Sequence, residues 1–136
     1  MPRLEYFLVA DSVSVDQFTN TVSVFHVIEQ IRAPKFPVHI PRFACVSSLN
    51  IEEEDFGKDF QLTVNIKNPS GKYGEPNRIN FTAEKRRQRF IAHLVNFKIE
   101  GRGQLLFELL LNKERLASHT VDIIKDEPDS DNSPDG

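Results

Sequence analysis

The densest group of side chains that could bind a ligand is the short basic segment 85–89. It places four cations within five residues, namely Lys85, Arg86, Arg87 and Arg89. Ammonium and guanidinium groups at this density can bind the phosphates of RNA or DNA, or an acidic protein surface. The segment is therefore a candidate anion-binding site, and the alternative is a solvated connection between two strands.

Four histidines, His26, His39, His93 and His119, could be metal ligands or catalytic bases. No two of them have the His-x-His or His-x₃-His spacing that brings two imidazoles to one metal ion. A metal site would need distant strands to converge, so the sequence predicts no metal-ligating residue. If the protein is an enzyme, His93 or His26 would be its base.

The single cysteine, Cys45, is a candidate nucleophile. One cysteine excludes an internal disulfide and a multi-cysteine zinc site. Cys45 lies in the apolar run Phe43–Val46, with no helix start or neighbouring base that would activate a thiol. We therefore predict a small buried side chain.

Motifs of enzymes and cofactor-binding proteins are missing from the chain. There is no Gly-x-Ser-x-Gly elbow, and the six glycines form neither a phosphate loop nor a Gly-x-Gly-x-x-Gly turn. The acidic run Glu52–Asp55 lacks the alternating ligands and the glycine of a calcium loop. We predict no catalytic residue, no cofactor and no enzymatic activity.

The charge of the chain divides into two regions. Residues 1–124 hold 16 Lys and Arg against 15 Asp and Glu, a net of +1. Residues 125–136 hold one Lys against five acidic residues, a net of −4, and no apolar side chain. Such a segment cannot offset its conformational entropy by burial, so we expect a folded domain over 1–124 and an acidic disordered tail over 125–136.

Nothing in the sequence indicates export or membrane insertion. The apolar run Leu4–Ala10 contains Glu5, and no window approaches the roughly 18 apolar residues that a membrane span requires. The free thiol fits a reducing compartment. We therefore expect a cytoplasmic protein with no membrane partner.

Alternating apolar and polar residues predict strands throughout the domain. In Phe60–Ile66 every second side chain is apolar, and comparable patterns occur in about eight segments separated by turn residues. The fold class predicted is all-β, a single antiparallel β-sandwich. The predicted strands are Leu4–Val13, Thr21–Arg32, Arg42–Asn50, Phe60–Ile66, Arg78–Glu84, Arg89–Glu100, Gln104–Asn112 and Arg115–Ile124.

Two stretches depart from a simple alternation of apolar and polar residues. Thr21–Arg32 has apolar residues on both faces, which favours a central strand covered on both sides for part of its length. Thr82–Val95 is rich in helix formers, so a short helix near 83–89 is the alternative to a strand there. The clean alternation from Phe90 onward favours a strand.

The segment Gln104–Asn112 carries two leucines on its outward face. Leu105, Phe107, Leu109 and Leu111 share one side of the predicted strand, whereas Leu106 and Leu110 lie on the other. Either another element covers Leu106 and Leu110, or a second subunit does. These two residues are therefore the candidate protein interface.

Two stretches of the chain resemble a known kind of protein. Gly103–Leu116 followed by Val121–Ile123 resembles the closing hairpin of immunoglobulin-like sandwiches. The opening, Ala10-Asp11 with Thr21–Ile28 and Pro34–Pro37, is similar to an uncharacterised bacterial family of small single-domain β-sandwich proteins. The resemblance implies an immunoglobulin-like fold in a bacterial cytosol, and it implies no activity.

The sequence as a whole favours a non-catalytic β-sandwich that acts through protein–protein contacts. Its expected partners are another protein, itself, or both, which would make it a self-associating protein or an accessory subunit. The alternative function is binding of nucleic acid or another anionic ligand through Lys85–Arg89.

Overall fold

The computed structural model describes residues 1–126, and these form two β-sheets packed face to face. A single turn of 3₁₀ helix, Glu53–Asp55, follows the fourth strand. The nine strands are β1 (Arg3–Val15), β2 (Val22–Val27), β3 (Gln30–Ala33), β4 (Val38–Asn50), β5 (Asp59–Lys67), β6 (Asn77–Thr82), β7 (Arg87–Ile99), β8 (Gly103–Leu111) and β9 (Glu114–Lys125).

The sheets contain four and five strands. The first sheet has the order β2-β1-β4-β7, and the second has the order β3-β9-β8-β5-β6. Every pair is antiparallel except β3 and β9, which run parallel. The predicted all-β sandwich is confirmed, with nine strands in place of about eight and one parallel pair among the antiparallel ones.

The core lies between the two sheets and is built from the alternating side chains. Each strand turns every second residue inward, and Phe107 on β8 is only 1% exposed. The ring of Phe43 on β4 meets the rings of Phe97 and Phe107 edge to face, with centroids 5.6 Å apart in both pairs. Phenylalanines from both sheets therefore join the layers, which accounts for the phenylalanine-rich composition.

The short helix considered near 83–89 does not form. Thr82 ends β6 and Arg87 already begins β7, with only four residues between them. From Arg87 onward β7 pairs with β4 along its whole length, and Phe90 packs against Phe81 with ring centroids 4.7 Å apart. These long-range contacts override the local helix propensity, as tertiary packing commonly does.

The prediction of one central strand over Thr21–Arg32 is wrong. The segment forms two strands in different sheets, and both lie at sheet edges. His26 has a φ of +57°, outside the β region, and the strand ends one residue later. The apolar side chains on both faces are therefore only partly covered, since Phe25 is 47% and Val27 is 41% exposed.

The last strand extends slightly past the predicted domain boundary at residue 124. β9 continues to Lys125, and the backbone amide of Asp126 donates to the carbonyl oxygen of Ala33 at 2.8 Å. The guanidinium of Arg32 also lies 3.2 Å from the Asp126 carboxylate. The remainder of the predicted acidic tail, residues 127–136, lies outside the described residues.

Membrane-spanning helices are not found in the described part of the chain.

Candidate functional site

The candidate site begins with one cross-strand row on the outer face of the first sheet, the face turned away from the second sheet. Tyr6 on β1 lies opposite Ser48 on β4, and Ser48 lies opposite Arg89 on β7. Side chains that are directly opposite in neighbouring strands point to the same face. Arg89 therefore projects from the outer face near the beginning of β1.

Arg89 holds the turn between β1 and β2 against this row. Its guanidinium donates to the backbone carbonyl oxygen of Asn20 at 3.1 and 3.0 Å and to the side-chain oxygen of Asn20 at 2.9 Å. A straight β1 would carry Val15 roughly 30 Å away from Tyr6, much farther than an arginine side chain reaches. The β1–β2 hairpin therefore folds back over the outer face of the first sheet.

The burial of small side chains on the outer face agrees with a hairpin that covers this face. Ala10, Ala44 and Val46 alternate away from the core residues Val9, Phe43 and Cys45 on the same strands, yet each is at most 1% exposed. An outer face open to water would leave these small side chains accessible. The folded-back hairpin thus forms a second packed layer on the first sheet.

The turn itself is ordered by its own hydrogen bonds. One carboxylate oxygen of Asp16 accepts from the amides of Phe18 at 2.8 Å and Thr19 at 3.0 Å, and the amide of Asn20 donates to the carbonyl of Asp16. The hydrogen bonds from Thr19 and Phe18 lower the pKa of Asp16. This rigid turn presents Phe18, whose side chain is 89% exposed, to solvent.

A groove of about 790 Å³ lies between the turn and the sheet. Three cations and one carboxylate face it, a net charge of +2. The groove is lined by Glu5, Tyr6, Val15, Asn20, Thr21, Val22, Ser48, Lys85, Arg87, Gln88 and Arg89.

One of the three cations is already neutralised. Arg87 forms a two-pronged ion pair with Glu5, with Nε to Oε1 at 2.7 Å and Nη2 to Oε2 at 3.0 Å. The hydrogen bond from Arg87 lowers the pKa of Glu5, and the same contact raises the pKa of Arg87. Ser48 and Asn50 donate two further, longer bonds to the Glu5 carboxylate.

The other cations of the predicted basic segment keep their charge. Arg89 bonds only to neutral amide oxygens of Asn20. Within residues 1–126, neither Lys85 nor Arg86 has a carboxylate within ion-pairing distance. Lys85, Arg87 and Arg89 converge on the groove, whereas Arg86 is exposed beside it. The groove therefore offers two uncompensated cations to an anionic ligand.

The predicted interface residues Leu106 and Leu110 lie on the outer face of the second sheet, in the central strand β8. Both are half-buried, unlike the exposed Phe18. Glu108 lies between them on the same face and pairs with Arg115 at 3.0 Å. An ion pair thus interrupts the apolar stripe that the sequence indicates.

The remaining candidates lie apart from the groove. The described residues contain no group of three or more potential metal ligands. His26 lies 3.6 Å from the carboxylate of Asp11, and both side chains are largely exposed. His119 bonds through Nε2 to the carbonyl of Ile28 at 2.7 Å. His39 and His93 are solvent-exposed.

Cys45 and the acidic run Glu52–Asp55 also lie outside the groove. Cys45 is 3% exposed, as predicted, and burial raises the pKa of its thiol to about 12. Asp55 is buried, with its carboxylate 2.7 Å from the Met1 amine and 3.3 Å from the amine of Lys58.

Sequence reasoning missed the contribution of the β1–β2 turn. The segment between the predicted strands Leu4–Val13 and Thr21–Arg32 is not among the candidate sites above, although its apolar Phe18 stands among polar residues. This apolar residue in a polar segment was the one feature of the sequence that could have indicated a role for the turn. The contact between Asn20 and Arg89, 69 positions apart, has no local pattern.

Comparison with known proteins identifies a family and a fold. Residues 5–124 match the model of a family described as "Family of unknown function (DUF6941)". No curated protein matches the chain.

Solved structures provide distant likenesses. The Pseudomonas fluorescens alkylpurine DNA glycosylase AlkC, bound to DNA containing an abasic site analog, is 12% identical with a TM-score of 0.56, covering 90% of this chain and 30% of that one. An immunoglobulin-like protein from Pseudomonas aeruginosa is 11% identical with a TM-score of 0.48, covering 90% and 96%. At 12% identity the likeness to the glycosylase shows the fold alone. The chain spans less than a third of the glycosylase.

Proposed function

We propose, from the premise that this chain belongs to the family of unknown function DUF6941, that it is a non-catalytic module that binds an acidic segment of another protein. The groove beside the β1–β2 turn would hold the segment, with Lys85 and Arg89 bonding its carboxylates. Phe18 would supply the apolar contact. The buried free thiol of Cys45 supports a cytoplasmic location for this role.

The observation that carries the proposal is that Arg89, an uncompensated cation of the groove, bonds to Asn20, two residues from the exposed Phe18 in the same turn. An exposed phenylalanine on a hydrogen-bonded turn loses little conformational entropy on binding, because the turn is already ordered. Aromatic side chains that enter a partner's pocket commonly dominate the energy of an interface. Arg89 joins both features, since it lines the groove and anchors the turn.

The alternative function is binding of nucleic acid or another anionic ligand through Lys85–Arg89. The exposed side chains of Lys85 and Arg86 favour it. The groove favours a short acidic segment over nucleic acid, because Glu5 neutralises Arg87 and only Lys85 and Arg89 keep uncompensated charge there, whereas affinity for nucleic acid comes from neutralising several phosphates. The exposed Phe18 in the neighbouring turn offers an apolar contact that suits a protein partner.

A display library of random peptides of about twelve residues tests the proposal without a known partner. We expect the full chain to select peptides enriched in Asp and Glu together with a large apolar residue. The matched variants are Phe18→Ala, Lys85→Gln and Arg89→Gln, which should lose this enrichment. Arg102→Gln, an exposed arginine outside the groove, is the control and should retain it.

Three results would contradict the proposal. Selected peptides that are not enriched in Asp and Glu would show that Lys85 and Arg89 do not bind carboxylates of the partner. Enrichment that survives all three groove variants would place the site elsewhere. Salt-sensitive binding of single-stranded DNA or RNA in the absence of any selected peptide would support the alternative function.

A further inference from the structure

The edge of the first sheet formed by β7 has an unusual length. β7 has 13 residues and pairs with β4 on one side, while its other side has no partner strand among residues 1–126. The other three edge strands, β2, β3 and β6, have six, four and six residues. Proteins usually keep edge strands short or charged because an open edge can pair with another chain.

The backbone groups at this edge can be assigned. The amide of Ile51 donates to the carbonyl of Arg86 at 2.7 Å, so the carbonyl of residue 86 points toward β4. Since backbone direction alternates along an antiparallel strand, residues with odd numbers point their amide and carbonyl groups outward. Arg89, Ile91, His93 and Val95 therefore offer donors and acceptors to a further strand.

The middle of this edge lacks the charges that usually protect an edge. From Phe90 to Phe97, His93 is the only ionisable side chain. Val95, on the outer face, is 72% exposed, the most exposed aliphatic side chain of any strand in the described region. The edge is thus uncharged and partly apolar over eight residues.

A second β7 fits this edge in a self-complementary register. In an antiparallel pair centred on His93, Ile91 of each copy lies opposite Val95 of the other, and both side chains are on the outer face of the sheet. Just beyond the strand ends, Arg86 of each copy lies opposite Glu100, so two pairs of opposite charge form. Opposite charges placed across a strand pair stabilise it, and like charges destabilise it.

We propose that two copies of this protein associate through their β7 edges in this register, joining the two four-stranded sheets into one continuous sheet. The interface lies at the edge of the sheet, whereas the peptide groove lies on its outer face. This inference therefore does not depend on the proposed function.

Sedimentation of the full chain tests the association. We expect a concentration-dependent dimer for the native protein. Val95→Lys should raise its dissociation constant about tenfold or more, because the lysine would face Ile91 of the other copy. The exposure of Val95 means that the monomer fold should be kept, which circular dichroism checks.

A charge exchange tests the register. Arg86→Glu and Glu100→Arg should each weaken the dimer by about threefold or more, since each places like charges opposite one another. The double variant should recover native affinity. Lys113→Glu, an exposed lysine outside the edge, is the control and should have no effect.

Each other outcome overturns the proposal. A strict monomer at the highest soluble concentration excludes the association. If Val95→Lys leaves the dissociation constant of the dimer unchanged, the interface is not at the β7 edge. If Leu110→Lys disrupts the dimer instead, the interface lies on β8. Failure of the double variant to recover affinity excludes the register centred on His93.

Discussion

The guanidinium of Arg89, in an edge strand of the first sheet, donates three hydrogen bonds to Asn20 in the β1–β2 turn at 2.9 to 3.1 Å. The two residues are 69 positions apart, and their contact determines where the hairpin lies. Because the planar guanidinium offers donors in a fixed fork, it can bond both oxygens of Asn20 at once. This contact joins the turn that carries Phe18 to the sheet at the groove.

Arg89→Ala should loosen the turn without unfolding the sandwich. We expect amide hydrogen exchange of Phe18 and Thr19 to accelerate about tenfold, because the turn would lose its anchor to the sheet. Amides in β8 should keep their native protection. Arg102→Ala serves as the control, and unchanged exchange at the turn would show that Arg89 does not hold the hairpin.

Phe18→Ala should weaken peptide binding while leaving the stability of the fold nearly unchanged. Because the side chain is 89% exposed, its loss should change the free energy of unfolding by no more than about 0.5 kcal/mol. Affinity for a selected acidic peptide should fall about tenfold or more. Tyr73→Ala, an exposed aromatic in the connection between β5 and β6, should leave affinity unchanged. A large loss of stability in Phe18→Ala would mean that Phe18 packs in the folded state.

The Glu5–Arg87 pair should make stability depend on pH in the acid range. Arg87 lowers the pKa of Glu5 in the folded state, so the unfolded chain binds a proton more readily. The contribution is therefore present above the ordinary pKa of 4.5 and is lost as the pH falls through the lowered folded value.

Thermal unfolding of the native protein and of Glu5→Gln, measured from neutral pH into the acid range, checks this. The difference between their midpoints should be largest near neutral pH and shrink as the pH falls below 4.5. A difference that grows with acidity would contradict the pairing.

Cys45 should resist thiol reagents until the protein unfolds. Burial raises the pKa of its thiol to about 12, so the reactive thiolate is scarce at neutral pH. Iodoacetamide labelling followed by mass spectrometry should show modification only after denaturant is added. Rapid labelling of the native protein would indicate that the core around Cys45 opens.

The sequence predicted the elements whose apolar residues alternate on one face. The prediction of a strand over Phe60–Ile66 is confirmed by β5, and that over Gln104–Asn112 by β8. These strands pair across turns or lie at the centre of a sheet, so a two-residue period describes them well. The class of the fold followed from them.

Long-range contacts explain what local pattern did not predict. The strand pairing of Arg87 with Asn50 replaced the helix considered at 83–89. Thr21–Arg32 divides at residues 28–29 into two edge strands, whose partners β1 and β9 belong to different sheets. The density of cations in the sequence predicted that Lys85–Arg89 could bind an anion. The ion pair of Arg87 with Glu5 and the hydrogen bond of Arg89 to Asn20 could not be predicted, because they form only when distant strands meet.

The most direct test of the proposed function is nuclear magnetic resonance mapping of a selected acidic peptide titrated into the isotopically labelled full chain. We expect the amide shifts to cluster at Phe18, Asn20, Lys85 and Arg89, and to vanish in Lys85→Gln. Shifts centred on Leu106 and Leu110 instead, or no shifts at a peptide concentration that saturates binding, would contradict it.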